Sequence, residues 1–134
     1  MLTYRIAPAS SDVSTAYSIE FSEAGSDAYK LAEKLGASLN KLLRPEQALL
    51  INNVELVNML DEGIQLRVSL TSDNSETYTA LFPVVQFDGW YQMGEQFNAV
   101  ACKTLSCDET VVFTRSGCSC GGAPGQLSLI NSSM

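Results

Sequence analysis

From Ser26 to Pro45 the apolar residues Ala28, Leu31, Ala32, Leu35, Leu39, Leu42 and Leu43 recur at intervals of three and four. That spacing lines one face of an α-helix and cannot line one face of a strand. Ser26 stands before the run as an N-cap, and Pro45, which lacks a backbone N–H, stops it. It is the strongest periodic signal in the chain and fixes one long amphipathic helix in any fold the sequence adopts.

The rest of the chain asks for strands. Ile64, Leu66, Val68 and Leu70 alternate with Gln65, Arg67, Ser69 and Thr71, a strand with one wet face. Residues 2–7 and 13–21 also alternate, and 78–87 is apolar enough to be covered on both faces, with Pro83 marking a bulge or an edge. Turns at Asp88-Gly89 and near 94–95 and 106–108 divide the following segment into short strands at 90–93, 97–104 and 110–114, and a last apolar run lies at 127–130. In residues 45–60, Leu50, Val54, Val57 and Leu60 suit a helix with Pro45 in its first turn, whereas 48–57 suit a tight hairpin at Asn52-Asn53; the expectation is a short strand followed by a short helix over 53–61. The order predicts an α+β fold, an antiparallel sheet or small β-barrel with one long amphipathic helix packed on it. Residues 1–115 form the single domain, and the Gly/Ser-rich 116–134 form a C-terminal extension packed on that domain or on a neighbouring subunit. With 134 residues and 46% hydrophobic content the chain can bury a core without a metal or disulfide.

Charge narrows the partners. A formal net charge of −7 disfavours a nucleic-acid grip, which needs clustered cations, and disfavours an anionic membrane surface. No stretch approaches the roughly 20 apolar residues of a spanning helix, and the first residues lack the pattern of a signal peptide. Synthesis in a cytoplasm is the expectation, with later incorporation into a particle. The charge is also unevenly placed. At 100° per residue Lys30, Lys34, Lys41 and Arg44 fall within about 40° of one line, opposite the leucines. Residues 27–44 hold four cations against two acids, leaving four cations against thirteen acids elsewhere, a balance of +2 against −9. A solvated helix face is the ordinary explanation of such a stripe; contact with the acidic surface of another copy is the functional one.

Chemistry is sparse. The chain has no histidine, which removes the commonest general base and metal ligand. Gly117-Cys118-Ser119-Cys120-Gly121 matches the letters of a nucleophile elbow, but its serine has no histidine partner. The acids Asp61-Glu62 and Asp108-Glu109 lie side by side at turns, and Asp73-Asn74-Ser75-Glu76 lacks the ligand run of a calcium loop. Asn131-Ser132-Ser133 has the form of a glycosylation acceptor. The sharpest constellation is Cys102, Cys107, Cys118 and Cys120, all in the last third, where free thiols, a structural zinc site with four thiolate ligands and disulfides are each open. Trp90 and Tyr91, after the Asp88-Gly89 turn, are candidate subunit contacts among aromatics that otherwise fill the core.

These features lead to a non-enzymatic structural subunit of a homo-oligomeric assembly, a virus or bacteriophage virion component being the expected kind, with copies of itself and other assembly proteins as partners. The interface candidates are Lys30, Lys34, Lys41, Arg44, Trp90 and Tyr91. The rival is a small acidic inhibitor or adaptor whose four cysteines hold a structural zinc.

Overall fold

The computed structural model describes residues 3–21, 23–59, 62–73, 76–94, 96–105, 107–114 and 117–131. Expectations that rest on Leu2, Asp61, Asn74, Ser75, Ser132 and Ser133 lie outside them. Along the chain run β1 (Thr3–Pro8), β2 (Tyr17–Ser18), α1 (Asp27–Leu43), β3 (Leu50–Met59), β4 (Gly63–Thr71), β5 (Glu76–Pro83), β6 (Val85–Phe87), β7 (Trp90–Gly94), β8 (Asn98–Leu105), β9 (Val111–Phe113), β10 (Cys118–Cys120), β11 (Ala123–Pro124) and β12 (Gln126–Asn131). The strands pair antiparallel in three sheets, ordered β12-β8-β5-β4-β3-β2, β1-β7-β6 and β11-β10-β9 among the described residues.

The expected α+β architecture, a sheet packed on one long helix, is overturned. The described residues are mostly β, with 54% strand, 14% helix, three antiparallel sheets and a single short helix. Two segments account for the difference. Residues 50–59, expected to end in a helix, run as one strand because Val54 and Leu56 join Leu66, Val68 and Leu70 in the core through a ladder with β4; the partner strand decides what local periodicity left open. The Gly/Ser-rich tail supplies three more strands, of which β12 continues the large sheet along β8.

α1 begins where its cap places it. The Ser26 hydroxyl accepts a hydrogen bond from the Tyr29 backbone N–H at 3.1 Å, and the helix stops at Arg44, whose φ of 48° is left-handed. The Asn40 amide then clamps the returning chain, accepting from the Leu49 N–H at 2.7 Å and donating to the Leu49 carbonyl at 3.1 Å. Leu31, Leu35 and Leu39 enter the core with Tyr78, Ala80 and Phe82 of β5, Ala99 and Ala101 of β8 and Ile130 of β12. The helix therefore covers part of one face of the large sheet, and β1 and β7 add Tyr4, Ile6, Tyr91 and Met93 to the same core. Pro83 is accommodated at the end of β5, beyond Leu81, where the ladder to β8 stops. Asp88 and Gly89, with φ of 54° and 82°, make the two-residue turn that sets Phe87 against Trp90.

Candidate assembly surfaces

The face of the large sheet away from α1 carries the alternate residues. One cross-strand row reads Leu129, Val100, Leu81, Arg67 and Glu55, and the next reads Leu127, Cys102, Thr79 and Ser69. Over the second row sits the small sheet β9–β11. Cys118 and Cys120 are two apart on β10, so both side chains leave the same face of that strand. Cys118 is joined to Cys102 on β8 and Cys120 to Cys107 in the segment after β8. Cys102 and Cys118 are buried with Val111, and Leu127, Phe113, Cys107 and Cys120 pack around them. The expected zinc ligands are thus consumed in pairs: a cystine sulfur is not a thiolate donor, and no cluster of three or more metal-binding side chains occurs among the described residues. Gly117-Cys118-Ser119-Cys120-Gly121 is centred on a β-strand in this lobe and is not a strand-turn-helix elbow.

The basic stripe is placed as its spacing requires. Lys30, Lys34, Lys41 and Arg44 are all exposed along α1 and its C-cap, and none joins an ion pair among the described residues. On the opposite side of the sheet, Asp108 and Glu109 are exposed and line a polar recess of about 250 Å³ with Glu55, Arg67, Ser69 and Thr79. Arg67 is held by Glu55 there, through its Nε at 2.8 Å. The molecule therefore has a cationic face and an acidic face with a β-sheet between them.

Trp90 and Tyr91 point in different directions along β7. Trp90 is half-buried with the Arg5 guanidinium 5.2 Å from its ring centroid, and Tyr91 is buried in the core. Only the first has surface left to offer another chain.

Other titratable groups hold the fold together. Glu76 at the start of β5 lies 3.5 Å from the Lys103 ammonium, whose nitrogen sits 6.0 Å from the Tyr78 ring. Burial, above all, raises the Tyr78 phenol above its usual range, against the opposing Lys103 charge. The Lys103 ammonium is raised first by Tyr78, with burial opposing and Glu76 adding to the rise. The cluster ties β5 to β8 across the Tyr78–Lys103 register pair. Asp12 is held below its usual range by the Ser14 hydroxyl and then the Ser14 N–H, which donate to it at 2.7 and 3.0 Å.

Sequence reasoning did not single out the exposed apolar edge residues. Leu129 on β12 is 84% exposed and Phe87 on β6 is 67% exposed, each on a terminal strand of its sheet. The available signal was the uncharged alternation of Gln126-Leu127-Ser128-Leu129-Ile130-Asn131, which reads as a strand with apolar residues on both faces. No helix among the described residues is long and apolar enough to cross a membrane. No protein-family model, curated protein or solved structure matches the chain.

Proposed function

We propose that the chain is a non-enzymatic structural subunit that associates with copies of itself, the basic face of α1 on one copy meeting the acidic face of the next. The observation that carries this is the opposition of the two charged faces across one sheet. A cationic stripe and an acidic loop on opposite sides cannot pair within a molecule, and they can pair between molecules arranged head to tail. The absence of histidine and the spending of all four cysteines on disulfides support a structural role over a catalytic one. They also weigh against the zinc-held adaptor. Two disulfides favour a mature environment that is oxidising. An extracellular particle such as a virion is one assembly that meets this condition.

Charge reversal tests the proposal. Lys34→Glu with Lys41→Glu changes two exposed positions on a helix whose buried side is untouched, so circular dichroism and thermal stability should stay close to wild type. Multimer formation in low salt should fall by more than about tenfold in the variant, and salt that screens the contact should dissociate the wild-type multimers in the same way. Multimers unchanged by the double reversal would remove the stripe from the account.

A further inference from the structure

The large sheet has two unlike ends. At one, β2 is only two residues long and follows Ala16, whose φ is 75°, so the edge it offers is short and preceded by a kinked chain. At the other, β12 pairs with β8 over all six of its residues, and no strand pairs with its outer side among the described residues. Sheets protect open edges with charge, proline or brevity. β12 has none of these: residues 126–131 carry no charged side chain and no proline. Leu129, on this strand, is the most exposed of the large hydrophobic side chains among the described residues.

We propose that β12 pairs antiparallel with β12 of a second copy, so that two six-stranded sheets become one across a two-fold axis. The proposal rests on the reading that the chain self-associates and names a surface separate from the charged faces. Self-pairing is favoured over a foreign strand by the layout of charge. In a two-fold contact each residue near the axis meets its own kind, and a charged strand would repel itself. The neutral β12 does not. The charged groups that flank it, Arg44, Glu46 and Lys103, gather around Gln126 and Ser128 at one end, whereas Gln96 and Asn98 line a groove with Asn131 at the other. Antiparallel pairing sets the charged end of each copy beside the neutral end of the other and keeps the two charged ends a strand length apart, about 20 Å. Near the middle, Leu129 of each copy covers Leu129 of its mate and removes from water the largest apolar exposure on the strand.

Salt separates this contact from the head-to-tail one. Strand pairing and leucine burial survive screening, whereas contact between charged faces does not. Sedimentation velocity of wild-type protein at about 100 μM in about 0.5 M NaCl should therefore show a dimer. Leu129→Lys should convert it to monomer, weakening association by more than about tenfold, because two lysines then oppose each other at the axis. Val112→Lys, an equally charged change on the exposed side of β9, should leave the dimer intact. The Lys34→Glu/Lys41→Glu protein should also remain a high-salt dimer while losing its low-salt multimers, so loss of the stripe contact and loss of the edge contact read differently. A wild-type monomer in high salt would overturn self-pairing and leave the edge to a strand of another protein. A dimer unaffected by Leu129→Lys would overturn it as well.

Discussion

Gly125 shows how one residue decides whether the cystine lobe can close. A Cβ built on it would lie 2.5 Å from Cys102 Sγ, 2.9 Å from Thr104 Cγ2 and 3.0 Å from Cys118 Sγ. Its own N–H donates to the Cys118 carbonyl at 2.8 Å, so the backbone has no room to retreat. The requirement here is space, since the φ of Gly125 is not in the left-handed region. Gly125→Ala should cost about 1–3 kcal/mol in urea unfolding, the range for overpacking a well-packed site. A wild-type midpoint for that variant would show that the disulfide is not seated against β12 as described. Arg44 presents the converse case. It occupies a left-handed position where glycine usually ends a helix, and its exposed guanidinium adds the fourth cation of the stripe. Asp12 stabilises its loop by the same logic at the level of a proton. Its native pKa lies below the unfolded value, so its contribution is present above about pH 4 and disappears as pH falls through the native value.

Among elements, the lobe β9–β11 depends most on covalent support. Its strands are two or three residues long, too short to stand as a separate sheet. The two disulfides span 16 and 13 residues, each worth roughly 3 kcal/mol by the entropy of the loop it closes. Replacing Cys107 and Cys120 together by serine should speed amide exchange across 107–124 by orders of magnitude and leave the centre of the large sheet, β4 and β5, protected. Exchange that rises equally in β4 and β5 would mean that the lobe and the sheet unfold as one unit. The helix was legible because its cap, its leucine spacing and Pro45 all agree within one segment. β4 was legible because its two faces differ. Residues 50–59 were not, because the strand state there depends on a ladder with β4 that local spacing does not contain. The C-x-C of residues 118–120 signals two sulfurs on one side of a strand once the strand is known, yet its partners at Cys102 and Cys107 follow only from the fold. The stripe on α1 was legible for the same reason as the helix, and the open β12 edge was hidden because edge position is a property of strand order.

The whole molecule is a sheet polarised in two senses. Across its thickness one face is cationic along α1 and the other is acidic at Asp108 and Glu109. Across its width one end is blunted at β2 and the other, among the described residues, is open at β12. The first asymmetry suits head-to-tail growth and the second suits closure by pairs, and together they describe a subunit with two kinds of contact. Native mass spectrometry of the untagged protein tests self-association and cystine formation together, because a single spectrum reports copy number and the loss of four hydrogens expected for two disulfides. The account predicts integer multiples of the oxidised chain, with even numbers of copies prominent. A lone monomer at every concentration, with its disulfides intact, would contradict it.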